Sequence, residues 1–177
     1  MKNDGGPSKM DILLVDGYNV LHSVYQELLA ELGHARDKFA ADLAEYAAFE
    51  GVQAILVFDA HSVVGAADRS ELLVEGLEIV YTSEGETADS FIEKLAYRLV
   101  RQGERVFVVT SDRMEQTVAL GTGAYRITAR ELGIRVKQTK QKLRDETQAA
   151  TRRDRRELAS HLSEDVAARL DKLRHKR

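Results

Sequence analysis

Hydrophobic residues in the first two thirds of the chain form four short runs, at 12–15, 54–58, 77–81 and 106–109, of which only 77–81 is interrupted, by Glu78. Each run is short and rich in β-branched residues, which is typical of strands buried on both faces of a sheet. Between the runs, apolar residues recur every three or four positions, as on one face of a helix. Strands that alternate with helices predict an α/β fold with a mostly parallel sheet, and right-handed crossovers would cover both of its faces.

The helical segments carry capping signals at the expected places. One apolar stripe comprises Ala35, Phe39, Leu43 and Tyr46, and Gly51 follows where a helix would end. A second stripe comprises Phe91, Ile92, Leu95, Ala96, Leu99 and Val100, with Thr87 as the predicted N-cap and Gly103 at the end. The segment 20–32 is also predicted to be helical.

From Thr128 the pattern predicts a helix almost to the end of the chain, with Gly133 as a weak point and a last short helix from Ser163. The net charge is −11 over residues 1–125 and +8 over residues 126–177. One face of the predicted helix carries Arg126, Arg130, Lys137, Lys140 and Arg144. A basic face of this kind suits a polyanion such as RNA, but it is equally compatible with a solvated helix surface.

Length and composition exclude several classes of protein. The chain has 177 residues, 44% of them hydrophobic, and no cysteine, which excludes a thiolate metal site, a cysteine nucleophile and a disulfide partner. It has neither a signal peptide nor an apolar stretch long enough to span a membrane. We expect a cytoplasmic protein without membrane contacts. Residues 1–9 are predicted to be a disordered leader or a tag remnant.

Acidic residues follow three of the four predicted strands, namely Asp16, Asp59 and Asp112. Ligands of open parallel sheets bind beyond the carboxyl ends of the strands, so we expect these carboxylates to converge there with Asp89 and Glu86 from the next helix start. Clustered carboxylates favour Mg²⁺ or Mn²⁺, and Asn19 and Ser111 offer further polar contacts. Gly17 is expected to allow a sharp turn. An acid after a strand can equally be a helix cap or a turn residue.

Four segments, in this order, resemble the YacP-type branch of the NYN domains, which belong to the PIN-like ribonucleases. They are 12–19 (ILLVDGYN), 57–61 (VFDAH), 86–96 (ETADSFIEKLA) and 110–116 (TSDRMEQ), and 129–132 (AREL) is similar to the start of the family's long C-terminal helix. The resemblance implies a three-layer α/β/α fold with a mostly parallel sheet of four or five strands, in which the first and fourth predicted strands are neighbours. It assigns 10–133 to the nuclease domain and leaves 134–177 as a basic helical extension.

The resemblance also implies a metal-dependent endoribonuclease that acts on mRNA, with the ribosome as a candidate partner. Asp16 and Asp89 would be the essential acids. Asp59 and Asp112 would complete the Mg²⁺ or Mn²⁺ site, with Asn19, Glu86 and Ser111 in support. In-line attack of water on an RNA phosphodiester is the chemistry that such a site supports.

Two other interpretations stay open at this point. One is a non-catalytic module that binds RNA or the ribosome. The other is a phosphohydrolase of the haloacid-dehalogenase type, which is disfavoured because Tyr18 stands where that chemistry requires a second acid. Few aromatic residues are available to stack on bases, and Tyr18 and Tyr125 are the candidates.

Overall fold

The computed structural model describes residues 10–59, 70–74, 76–111, 121, 123–161 and 166. The chain divides into two compact units, one ending at Thr139 and the other beginning at Lys140. The predicted leader lies outside the described residues, as does the predicted last helix apart from Val166. No helix in the described part of the chain is long and apolar enough to cross a membrane.

A sheet of six strands forms the centre of the first unit. The strands are β1 (Ile12–Asp16), β2 (Gln53–Phe58), β3 (Ser70–Val74), β4 (Leu77–Tyr81), β5 (Val106–Val109) and β6 (Tyr125–Ile127). Their order is β3-β4-β2-β1-β5-β6, and every pairing is parallel except that of β3 with β4. The four predicted strands are β1, β2, β4 and β5, which confirms the mostly parallel sheet.

The two edge strands, β3 and β6, were not predicted. β6 has only three residues, of which Tyr125 and Arg126 are exposed, so it lacks the apolar run that identifies a buried strand. β3 joins the sheet by antiparallel pairing with β4, and Gly76, at φ +94°, lies just before β4. Edge strands need less burial than central ones, and their sequence signal is correspondingly weaker.

Helices cover both faces of the sheet. They are α1 (Gly17–Val24), a 3₁₀ helix (Gln26–Glu31), α2 (Leu32–Glu50), α3 (Ala88–Arg101) and α4 (Ala129–His161). The predicted helix 20–32 is thus divided at Tyr25 into the end of α1 and the 3₁₀ helix. The predicted caps are confirmed, because Gly51 ends α2 at φ +67° and the Thr87 side chain accepts a hydrogen bond from the Ser90 N–H at 3.2 Å.

Two separate hydrophobic clusters, one on each face of the sheet, show that the sheet lies between two layers of helices. Leu13 and Val15 of β1 pack with residues of α1, α2 and α4, whereas Leu14 packs with α3 on the opposite face. Alternate side chains of one strand therefore serve different clusters, which explains why β1 is an unbroken apolar run. The expected three-layer α/β/α arrangement is confirmed.

A capping box begins α4. The Glu131 N–H donates to the Thr128 hydroxyl at 3.1 Å, and the Glu131 carboxylate accepts from the Thr128 N–H at 2.7 Å. The Thr128 hydroxyl also donates to the Glu131 carboxylate, at 2.7 Å, and the two hydrogen bonds that this carboxylate accepts lower the pKa of Glu131. Leu132, Val136 and Thr139 are buried, as the predicted apolar face requires, and Leu143 is partly exposed. In the second unit the described side chains from Arg144 to Glu157 are all exposed.

Gly133, the predicted weak point, does not interrupt α4 and is a packing site for α1. It is buried, and a Cβ atom placed on it would lie 2.7 Å from a methyl group of Val24. The absence of a side chain therefore lets α1 and α4 approach closely.

We expect Gly133→Ala to lower the free energy of unfolding by about 1–2 kcal/mol, since overpacking costs more than the gain in helix propensity. Urea unfolding followed by circular dichroism measures the change. Gly33→Ala is the matched control, because its Cβ would meet nothing within 4 Å. Equal stability of the Gly133→Ala variant and the wild-type protein would contradict this account.

Candidate acidic site at the carboxyl end of the sheet

The point where the strand order reverses lies at β1. The chain runs from β1 outward through β2 and β4, then crosses back to place β5 on the other side of β1. We predicted that the first and fourth predicted strands are neighbours in the sheet, and the parallel pairing of β1 with β5 confirms it. Asp16 ends β1, Asp59 follows β2 and Ser111 comes two residues after β5, so all three lie at the carboxyl edge. This is where open α/β sheets bind ligands.

Asp16 is the most buried acid at this edge, with 7% of its surface exposed. It is the N-cap of α1, and its Oδ1 accepts a hydrogen bond from the Asn19 N–H at 3.0 Å. A carboxylate at this position also interacts favourably with the positive end of the helix dipole. Asp16 therefore has the structural role of a cap as well as a position at the centre of the site.

Burial raises the pKa of Asp16 from 3.8 to about 6. The hydrogen bond from Asn19 opposes this shift, whereas repulsion from the carboxylates of Asp89 and Asp59 adds to it. Asp16 is thus close enough to Asp59 and Asp89 to be affected by their charges. A cation bound at this edge would offset the repulsion between Asp16 and these two carboxylates.

The start of α3 holds the second carboxylate. Oδ1 of Asp59 accepts a hydrogen bond from the Ala88 N–H at 2.6 Å, so the first turn of α3 is tied to the end of β2. Asp89 lies next to Ala88 in that turn and is exposed. Glu86 forms an ion pair with Lys94 at 2.8 Å. Lys94 was not predicted as a site residue, and its spacing of eight residues from Glu86 gives no local signal for the pair.

Asn19 connects α1 to the segment that follows β5. Its Oδ1 accepts a hydrogen bond from the Ser111 N–H at 2.8 Å, and the hydroxyl oxygens of Ser23 and Ser111 are 3.4 Å apart. Asn19 and Ser111 are therefore brought together, as expected of supporting residues. Asp112 follows Ser111 directly in the sequence but lies outside the described residues.

Gly17 has a different role from the expected sharp turn. It is the first residue of α1, and a Cβ atom on it would lie 2.2 Å from the ring of Phe58. That ring is fully buried and packs edge-on against Tyr18, with centroids 5.1 Å apart. Tyr18 is itself partly buried, and its hydroxyl group is buried without a hydrogen-bond partner among the described atoms.

The donor types at this edge fit a hard divalent cation. Asp16, Asp59 and Asp89 supply carboxylate oxygens, which are the ligands that Mg²⁺ and Mn²⁺ prefer. Among the described residues, however, no group of three or more acidic or histidine side chains is arranged so that it could hold a metal ion. Asp112, the fourth predicted ligand, lies outside the described residues, so that statement does not include it.

The predicted RNA-binding residues are solvent-accessible in both units. Arg126, Arg130 and Lys137 in the first unit are exposed. In the second unit Arg144 is exposed and Lys140 is partly exposed.

Comparisons with known proteins identify the family. The model of the YacP-like NYN domain matches residues 13–175. The chain belongs to the YacP-like NYN domain family. The uncharacterized protein YacP of Bacillus subtilis is 44% identical to it over 126 residues, which are 70% of this chain and 73% of YacP.

Solved structures of a YacP protein extend this similarity to the fold. A crystal structure of Rae1 (YacP) from Bacillus subtilis matches with a TM-score of 0.71 and 37% identity, covering 94% of this chain and 96% of Rae1. A tryptophan-to-leucine mutant of Rae1 matches with a TM-score of 0.69 and 38% identity, over 80% and 84% of the two chains. The fold of this NYN protein is PIN-like, as the resemblance implied, and its family implies an RNA-related function of the nuclease type.

Proposed function

We propose that this NYN protein is an endoribonuclease that depends on Mg²⁺ or Mn²⁺ and cleaves cytoplasmic mRNA in a decay pathway linked to translation. The observation that carries the proposal is the buried carboxylate of Asp16, whose pKa is raised in part by the neighbouring charges of Asp89 and Asp59. The family is of the nuclease type, and a nuclease can use clustered carboxylates to bind a catalytic metal ion. The link to translation rests on the family resemblance.

Asp16, Asp59, Asp89 and Asp112 are the residues that would hold the cation. A divalent cation bound there would lower the pKa of a water molecule and stabilise the negative charge that develops on the phosphodiester. Backbone N–H groups of α1 and α3 fix the carboxylates of Asp16 and Asp59 at the carboxyl edge of the sheet. Asp112 is required in this proposal to complete a ligand set that the described residues alone do not form.

RNA must reach an acidic edge that would repel it when no cation is bound. The exposed cations of α4 and the end of β6, Arg126, Arg130, Lys137, Lys140 and Arg144, are proposed to bind its phosphates. Such contacts are independent of sequence and weaken as salt displaces them. We therefore expect the protein alone to discriminate weakly between RNA sequences, and propose that the ribosome presents the substrate.

Mapping of RNA cleavage ends tests this function. Purified protein is incubated with an mRNA fragment in Mn²⁺, Mg²⁺ or excess EDTA, each with and without ribosomes. We expect new ends only with a divalent cation, and loss of these ends in Asp89→Asn. Glu93→Gln is the matched control, since Glu93 is an exposed acid one turn further along α3.

Two outcomes would contradict the proposal. Cleavage that persists in EDTA or in Asp89→Asn would remove the acidic edge from the chemistry. RNA or ribosome binding without cleavage in any condition, together with no heat of Mn²⁺ binding by calorimetry, would favour the alternative function, a non-catalytic RNA- or ribosome-binding module.

We expect Asn19→Ala to lower kcat for RNA cleavage by about tenfold while KM changes little. The variant loses the acceptor for the Ser111 N–H, which we propose holds the carboxyl end of β5 and hence Asp112. Single-turnover kinetics separate the two constants. Ser23→Ala, which removes only the longer contact to Ser111, is expected to keep nearly full activity. An unchanged kcat in Asn19→Ala would show that this link does not position the site.

A further inference from the structure

An exposed aromatic stack lies on the opposite side of β5 from β1. Tyr125, the first residue of β6, has 56% of its surface exposed, and its ring stacks on that of Phe107 with centroids 5.1 Å apart and planes 26° from parallel. The guanidinium carbon of Arg105 lies 5.3 Å from the Phe107 centroid and 5.8 Å from that of Tyr125. We call Arg105, Phe107 and Tyr125 the Tyr125 stack.

The ring of Tyr125 is supported by its neighbours although it is exposed. Phe107 and Tyr125 are register partners in β5 and β6, so their side chains project from the same face of the sheet. Arg105 is held in turn by an ion pair with Asp11 at 3.5 Å. The stack therefore presents one aromatic ring whose surface is more than half open to solvent and which need not be ordered when a ligand binds.

The register of the strands gives the distance of the stack from the acidic edge. Val15 pairs with Val109, and Phe107 pairs with Tyr125, so Tyr125 lies three residue levels below Asp16 and two strands away. At strand rise and spacing the separation of the two Cα atoms is about 14 Å. A single-stranded oligonucleotide of a few residues spans this distance. Tyr125 is thus not within the acidic cluster. Its ring projects with that of Phe107 from the face of the sheet opposite to α3, so an RNA that contacts both places would have to pass around the edge strand β6.

We propose that the Tyr125 stack is a subsite for single-stranded RNA, in which an unpaired base stacks on the exposed ring of Tyr125. Arg105, whose guanidinium group lies beside both rings, supplies positive charge suited to a flanking phosphate, in contrast to the net negative charge of residues 1–125. An aromatic platform with adjacent cations is a means of binding single strands without sequence preference. This inference rests on the proposed function only in naming RNA as the ligand.

Fluorescence anisotropy with a labelled twelve-residue oligoadenylate tests the subsite. The full-length protein is titrated in EDTA, so that the measurement does not depend on cleavage. We expect Tyr125→Leu to weaken binding by about tenfold, the effect of losing one base-stacking contact, and Tyr125→Phe to retain the wild-type affinity. Tyr97→Leu is the matched control, since Tyr97 is similarly exposed on α3, carries Arg101 over its ring and has no aromatic partner in the described part of the chain.

The salt dependence of binding separates stacking from a structural effect. Tyrosine neutralises no phosphate, so Tyr125→Leu should lower affinity by the same factor at every salt concentration, whereas Arg105→Gln should reduce the salt slope. A fully paired RNA duplex should bind wild type and Tyr125→Leu equally, because its bases are already stacked. Ultraviolet crosslinking of an oligonucleotide containing 5-iodouridine should modify the peptide that contains Tyr125.

The outcomes also distinguish this inference from the proposed function. Equal binding by wild type and Tyr125→Leu, or an equal loss in Tyr97→Leu, would overturn the subsite and leave the acidic site untouched. If Tyr125→Leu weakened the binding of duplex RNA as much as that of single-stranded RNA, the subsite would likewise be overturned. A wild-type protein that binds no RNA in this titration would overturn the subsite, whereas the nuclease is decided by the cleavage assay with Mn²⁺ and ribosomes. Cleavage that fails while Tyr125 still governs RNA affinity would overturn only the nuclease.

Discussion

Replacing Asp16 by asparagine is expected to reduce RNA cleavage by about a thousandfold and, at the same time, to stabilise the protein. Cleavage is lost because the variant removes the central carboxylate of the proposed cation site. Stability rises because a buried charge that is repelled by Asp89 and Asp59 is replaced by a neutral side chain. Asparagine caps helices about as well as aspartate, so α1 keeps its N-terminal hydrogen bond.

The gain in stability has a defined dependence on pH. The pKa of Asp16 is about 6 in the folded protein and has its ordinary value of 3.8 in the unfolded chain, so folding favours the protonated form. The wild-type protein therefore has this stabilisation below about pH 4 and loses it as pH rises through 6. In EDTA at pH 7.5, Asp16→Asn should be more stable by up to about 3 kcal/mol, and the difference should vanish near pH 4.

Urea unfolding across this pH range, with RNA cleavage assayed in parallel, measures both effects. Asp37→Asn is the control, since it removes an exposed carboxylate of α2 and should change neither quantity. Adding Mn²⁺ should stabilise the wild-type protein more than Asp16→Asn, because only the former retains the full set of proposed ligands. A variant that is less stable than wild type at pH 7.5 in EDTA would contradict the assignment of Asp16 as a destabilising buried charge.

Replacing Gly17 by alanine is expected to lower the free energy of unfolding by about 3 kcal/mol, a large cost for one added methyl group. The new Cβ would lie 2.2 Å from the ring of Phe58. The ring cannot move aside easily, because Tyr18 packs on its edge and Tyr81 stacks on it with centroids 5.9 Å apart. Denaturant unfolding of the purified variant measures the cost.

A second substitution tests the mechanism of this destabilisation. Phe58→Leu in the Gly17→Ala background removes the ring that the methyl group meets, so the double variant should lose less stability than the sum of the two single variants. Strict additivity of the two changes would show that the contact with Phe58 is not the cause.

Local sequence pattern determined the central part of this fold. β1, β2 and β5 contain continuous apolar runs because both faces of a central parallel strand are buried, and β4 departs from this pattern only at Glu78. The caps at Gly51 and Thr87 were predictable for a related reason, since capping depends on the backbone within one turn. The acids at the strand ends could also be predicted from the local sequence, because they follow these apolar runs closely.

Only the tertiary structure decided what meets at the carboxyl edge and why the glycines are needed. Asn19 binds the N–H of Ser111, 92 residues away, and Gly133 makes room for Val24 of another helix. The raised pKa of Asp16 and the stacking of Tyr125 on Phe107 likewise depend on segments far apart in the chain. The physical reason is that burial patterns and caps arise from neighbours in sequence, whereas desolvation, charge repulsion and close packing arise from neighbours in space.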